Sequence, residues 1–174
     1  MLDRNAVVIG DGGDFVSYAG RVIDTYEPGC WMDPGPFGCL GAGPGYALAA
    51  KLANPDRQVC LLLGDGAFGF SGMEFDTLVR HGVPVVARDG QQRDLGAREA
   101  PDGVPLRLLG GRRPAARAAA TTRWWRRSAG TASWWSAPRT CSPRSSGRSQ
   151  SGKPALVNVM TDPSVVYPRK SNLA

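Results

Sequence analysis

No C-x-x-C pair occurs among the four cysteines of this 174-residue chain, Cys30, Cys39, Cys60 and Cys141. That absence argues against a zinc or disulfide framework and leaves reduced cytosolic thiols as the plain reading. No apolar run approaches the roughly 20 residues a bilayer-spanning helix needs, so no membrane partner is expected. Met1-Leu2-Asp3-Arg4 leads directly into an apolar strand pattern, so no signal peptide is expected and the expected location is cytoplasmic. Ile, Lys, Phe and Tyr are all missing from residues 87–149. What is present is enough for a globular core. A hydrophobic fraction of 42% excludes full disorder and collagen-like repeats. The length suits one domain, or one domain with a tail.

Charge is distributed unevenly. The net +6 would ordinarily point to a nucleic-acid partner. Residues 87–149, however, hold thirteen arginines against four acids (Asp89, Asp94, Glu99, Asp102), a net of +9, whereas the rest of the chain has eight basic and eleven acidic residues, a net of −3. The same stretch contains Trp124, Trp125, Trp134 and Trp135. Two acidic, ordinary-looking ends flank a foreign middle.

The ends read as α/β. Ala6-Val7-Val8-Ile9, Val59-Cys60-Leu61-Leu62-Leu63, Val83-Pro84-Val85-Val86 and Ala155-Leu156-Val157-Asn158-Val159 are continuous apolar runs. Such runs fit parallel strands covered on both faces. An Ala-rich helix pattern covers Gly45 to Leu52, and a second covers Ser71 to Arg80, with Phe75, Leu78 and Val79 at helical spacing. His81-Gly82 closes the second, the glycine suiting the C′ position. The fold class is therefore a doubly wound, mostly parallel sheet. It is expected to be incomplete and to carry an irregular Arg/Trp-rich segment. Ligands of such sheets sit beyond the carboxyl ends of the strands.

Two loops fall at that edge. Gly64-Asp65-Gly66-Ala67 follows the most hydrophobic run, and Gly10-Asp11-Gly12-Gly13-Asp14 follows the first. Glycines let backbone N–H groups approach a phosphate, and a carboxylate there suits Mg²⁺. By themselves the same residues also describe a helix cap or a plain turn.

The residues together resemble a known family. Leu63-Gly64-Asp65-Gly66-Ala67-Phe68, then a helix, then His81-Gly82-Val83-Pro84-Val85-Val86, is similar to the opening of the thiamine-diphosphate motif. Gly35-Pro36-Phe37-Gly38-Cys39-Leu40-Gly41 resembles the loop that cradles the cofactor's aminopyrimidine. Thr161-Asp162-Pro163-Ser164 and Tyr167 to Ala174 resemble the C-terminus of actinobacterial acetolactate-synthase-type large subunits. The resemblance covers about residues 4–86 and 150–174. It implies Asp65 as a Mg²⁺ ligand, and contacts to the diphosphate from Gly64, Gly66 and Ala67 and from Gly13 and Asp14. It implies that the backbone at Gly38 and Leu40 bonds the pyrimidine, and that Leu40 props the cofactor in its bent form. Ordinary core packing is the other reading of Leu40.

The family closes its motif with Asn-Asn, which falls at Gln91-Gln92 here, so Gln92 stands in place of the second metal ligand. A codon argument accounts for the departure. Gly90-Gln91-Gln92-Arg93 written GGG-CAA-CAA-CGG reads Gly-Asn-Asn-Gly when started one base later. Comparable shifts dissolve the Trp pairs into apolar helix residues. Three single-base changes of the same sense, near Ala87, near residues 114–120 and near Gln150, would restore the family's pattern. The expected organisation is thus 1–86, the first part of the cofactor domain; 87–149, an aberrant segment, poorly ordered and without strand-forming periodicity; and 150–174, the last strand and tail.

The function the resemblance implies is acetolactate-synthase-like: decarboxylation of a 2-oxo acid such as pyruvate and carboligation to 2-acetolactate. The cofactors are thiamine diphosphate and Mg²⁺, with FAD only in a full-length relative, which would be a homo-oligomer. The activating glutamate of the family lies on a separate domain, so no catalytic residue is assigned. The chain alone is expected to be inactive. Glu74 and His81 read as helix-surface groups. An oxalyl-CoA or 2-hydroxyacyl-CoA decarboxylase-lyase, or an inactive binding module, is the alternative. An RNA-binding Arg/Trp insertion is the competing reading of the middle, recognisable by steep salt dependence; no nucleic-acid partner is expected.

Overall fold

The computed structural model describes residues 2–91, 131–135 and 152–161. In chain order the elements are β1 (Val7–Asp11), α1 (Gly13–Val22), β2 (Trp31–Met32), a 3-10 turn (Gly35–Phe37), α2 (Gly43–Ala53) and β3 (Val59–Gly64). They continue with α3 (Asp65–Ser71), α4 (Glu74–Arg80), β4 (Val86–Gln91), β5 (Thr131–Trp135) and β6 (Ala155–Met160). The strands form one sheet in the order β2-β1-β3-β4-β6-β5. Every pairing is parallel.

The apolar runs become strands because both faces are covered. Val7, Ile9, Leu61 and Leu63 pack with Ala47 and Ala50 of α2 and Phe75 and Leu78 of α4. Val8, Cys60 and Leu62 face the other way, against Val16 of α1. Full burial of a side chain such as Leu61 or Phe75 stabilises by about 1.5–3 kcal/mol.

Helix α4 ends as its sequence indicates. Gly82 adopts φ 61°. Its N–H donates to Val79 O at 3.1 Å and the Val83 N–H to Leu78 O at 2.9 Å. That is the Schellman pattern, with buried Val83 against buried Leu78 as its apolar contact.

Three expectations are corrected. The helix expected over Ser71 to Arg80 is two helices, α3 and α4, parted at Gly72 and Met73. There the Gly72 N–H closes on Phe68 O at 2.7 Å, and a β-carbon on Gly72 would lie 2.6 Å from the Phe68 ring. Val83 to Val85 precede the third long strand rather than form it: the Val83 N–H serves the helix cap, and Pro84 has none to give. The sheet has six strands among the described residues. Two of these, β4 and β5, run within or into the segment expected to lack strand-forming residues. Pairing uses backbone groups common to all residues, and Thr and Trp suit strands. Residues 92–130 and 136–149, and with them the expected disorder of the segment, lie outside the described residues.

Candidate functional site

The strand order reverses between β1 and β3, since β1 leads to β2 on one side while β3 lies on the other. Beyond the carboxyl ends of these two strands is the crevice where doubly wound sheets take ligands. Both glycine loops open onto it. A β-carbon on Gly64 would sit 3.6 Å from Gly12 O, so the two loop backbones approach closely. Gly12 and Gly13 have φ values of 72° and 86°, which admit glycine with little strain.

Each loop runs into a helix. The N-cap of α1 is Gly12 and that of α3 is Gly64, and neither end has a side-chain cap hydrogen bond. Two helix N-termini thus present backbone N–H groups and positive dipole ends at one edge. Gly13 is exposed, and a β-carbon there would meet nothing within 4 Å.

The segment from Gly38 to Gly43 is seated on this edge by Asp11. The Asp11 carboxylate is fully buried. It accepts the Gly41 N–H at 2.9 and 3.1 Å and the Gly43 N–H at 2.8 Å. Leu40, 40% exposed, lies over Gly12, where any β-carbon would run into its Cδ2. Its ordinary-core reading therefore does not hold; Leu40 overhangs the loop.

Asp65 is the first residue of α3, half-buried, and the Gly66 N–H donates to its Oδ1 at 3.0 Å. Ala67 is buried in the core below, so its side chain faces away from a ligand. Gly38 closes the 3-10 turn, exposed, with its N–H on Gly35 O at 3.1 Å. Asp14 is the second residue of α1. Gln92 lies outside the described residues.

These positions coincide with a family match. The thiamine pyrophosphate enzyme, C-terminal TPP binding domain, matches residues 11–87. The chain resembles the thiamine pyrophosphate enzymes over those 77 of its 174 residues. It is 55% identical, over its whole length, to a probable acetolactate synthase of Mycobacterium bovis and to the acetolactate synthase large subunit IlvG of Mycobacterium tuberculosis. It spans 32% of each of those relatives. Human 2-hydroxyacyl-CoA lyase 2 is 53% identical over 89 residues, 51% of this chain and 14% of that protein.

The TPP-binding domain has groups suited to its cofactor, thiamine pyrophosphate (thiamine diphosphate). Uncapped helix N-termini suit a diphosphate, and Asp65 is an oxygen donor of the kind Mg²⁺ selects. Among the described residues no three His, Cys, Asp or Glu side chains cluster, so Mg²⁺ would complete its shell with backbone, water and phosphate oxygens.

Glu74 and His81 are exposed, and His81 ends the helix that leads into the opposite, amino edge of the sheet. That agrees with reading both as surface groups. The buried Cys60 thiol is pushed up from its ordinary pKa by desolvation, with Arg88 opposing, so it is no nucleophile. A groove of about 480 Å³ between α1 and β2, lined by Val16, Arg21, Trp31 and Asp33 among others, includes none of the loop residues. No helix among the described residues is long and apolar enough to cross a membrane.

Sequence reasoning missed Asp11 as a functional residue. Its signal was period two: Val7, Ile9 and Asp11 share a strand face, so this carboxylate had to be buried and to find donors. It also missed three exposed apolar side chains that follow the loops in sequence, Phe37 at 91%, Phe70 at 75% and Met73 at 69%.

Proposed function

We propose that the carboxyl edge of β1 and β3 holds thiamine diphosphate and Mg²⁺ for an acetolactate-synthase-like reaction. The reaction is decarboxylation of a 2-oxo acid such as pyruvate followed by carboligation. The observation that carries this reading is the pair of uncapped helix N-termini at the strand-order reversal, one of them bearing Asp65. Backbone N–H groups at Gly13 and in the first turn of α3 bind the diphosphate, aided by both helix dipoles. Asp65 would hold a Mg²⁺, whose charge would offset the repulsion between this carboxylate and a diphosphate. Leu40 and the backbone at Gly38 orient the pyrimidine end. When bound, thiamine diphosphate supplies the electron sink for loss of CO₂. No proton transfer is assigned to a residue of this chain, which alone binds without turnover. In a full-length relative the active unit is a cytoplasmic homo-oligomer with its activating glutamate on another domain, and FAD belongs there if anywhere.

The 55% identity to the mycobacterial acetolactate synthases supports this substrate class. The similarity to human 2-hydroxyacyl-CoA lyase 2 favours a second reading, cleavage of a 2-hydroxyacyl-CoA, with the same cofactor site. Calorimetric titration of the purified chain with thiamine diphosphate is expected to give saturable binding that chelation of Mg²⁺ abolishes. Asp65→Ala is expected to weaken it by about tenfold or more. No binding by the folded chain in Mg²⁺ overturns the site. Turnover of pyruvate by the chain alone overturns the binding-only role.

The proposal of a shifted reading frame has physical support at the same boundary. The family match ends at residue 87. The next two residues put charge into a strand paired on both sides: Asp89 is fully buried, and the Arg88 Nε is buried without a hydrogen-bond partner among the described residues. Such strands ordinarily read as continuous apolar runs. Resequencing the encoding DNA tests it, with one-base changes near codons 87, 114–120 and 150 as the expected result. An unaltered DNA sequence removes the sequencing-error reading.

A further inference from the structure

We infer that Asp11 is a positioning residue of this site: its carboxylate sets the height of the Gly38–Gly43 segment and thereby holds Leu40 above Gly12. The inference rests on the cofactor reading only in what it says about affinity. Asp11 ends β1 on the face of Val7 and Ile9 and is fully buried. A carboxylate so placed is costly unless donors meet it. Both donors come from one short segment, Gly41 through two contacts at 2.9 and 3.1 Å and Gly43 at 2.8 Å.

The segment is seated on both sides. A β-carbon on Gly43 would lie 2.6 Å from Asp11 Cβ and 2.7 Å from Leu61 Cδ1, so its backbone rests directly on the strands. A β-carbon on Gly41 would lie 2.8 Å from Phe70 Cβ, so the same backbone also meets α3. Leu40 immediately precedes the first donor. At 40% exposure it is not held by burial alone, and the clamp next to it supplies the constraint. Charge-assisted bonds to backbone N–H groups are the stronger kind, which suits a fastening rather than a surface decoration. Asp11 touches no reacting atom in this account and acts through Leu40.

The test compares the full chain with Asp11→Asn and Asp11→Ala. Asn preserves the shape and one acceptor, so its effect is intermediate. Amide hydrogen exchange at Gly41 and Gly43 is expected to accelerate by about tenfold or more in the Asn variant, and further in the Ala variant, with β3 amides unchanged. Affinity for thiamine diphosphate in Mg²⁺ is expected to fall in the same order, by about tenfold for Asn. Unchanged exchange at Gly41 and Gly43 in the Asn variant overturns the inference. Acceleration spread equally through β1 and β3 overturns it too, by reducing Asp11 to a core residue. Faster exchange with unchanged affinity overturns the link to Leu40. If the unsubstituted chain binds no cofactor, the site reading and the affinity claim fall together, while exchange still decides the clamp.

Discussion

Strands β3 and β4 lie side by side, both paired in parallel on two edges, yet their sequences obey opposite rules. Residues 59–64 are Val-Cys-Leu-Leu-Leu-Gly, and residues 86–91 are Val-Ala-Arg-Asp-Gly-Gln. Leu62 and Arg88 are register partners, as are Leu63 and Asp89. One strand is maintained by burial of its side chains on both faces. The other is maintained by backbone pairing between neighbours and carries charge where its neighbour carries leucine. Backbone pairing is indifferent to side chains, so it can make a strand of a sequence that burial would not select.

The comparison is broken most strongly by carrying the charge across. Leu62→Arg would set a second guanidinium beside Arg88 and bury it in the α1-side core, costing about 4 kcal/mol or more, as a loss of the cooperative transition in urea. The reverse change sharpens it. Arg88→Leu removes a partly buried cation from β4 and is expected to raise stability by about 1–3 kcal/mol, seen as a higher denaturation midpoint at unchanged slope. A decrease would mean that the guanidinium is well satisfied by groups outside the described residues. A smaller effect tests how α4 enters β4. Gly82→Ala forces a β-carbon into φ 61° and should cost about 1–2 kcal/mol in thermal unfolding without altering cofactor binding. The smallest is a labelling pattern. With a thiol reagent at neutral pH, Cys39, which is exposed, should react first among the cysteines of the described residues, while buried Cys30 and Cys60 stay protected until unfolding. Early modification of Cys60 would mean that the β3–β4 junction opens.

Much of the first 86 residues was legible because its signals are local. The run at 59–63 needs no context to be a buried strand, and Gly82 needs only its helix to be a C′ residue. The Gly-Asp-Gly turn after β3 likewise announces a helix start at a sheet edge. The split between α3 and α4 was not legible, since it depends on Phe68 packing against Gly72. Strands β4 and β5 were misread for the reason their comparison with β3 exposes: composition reports what burial selects, and partners on either side can override it.

The sequence by itself determined that a parallel α/β sheet would place Gly12, Gly13, Asp65 and Gly66 at one edge, because apolar runs ending in glycine specify both strand and turn. Only the tertiary structure decided that Asp11 turns inward to clamp Gly41 and Gly43, and that Leu40 overhangs Gly12 rather than joining the core. Those contacts join residues about thirty positions apart. No local propensity encodes such contacts; the seating of one loop on another strand's end creates them.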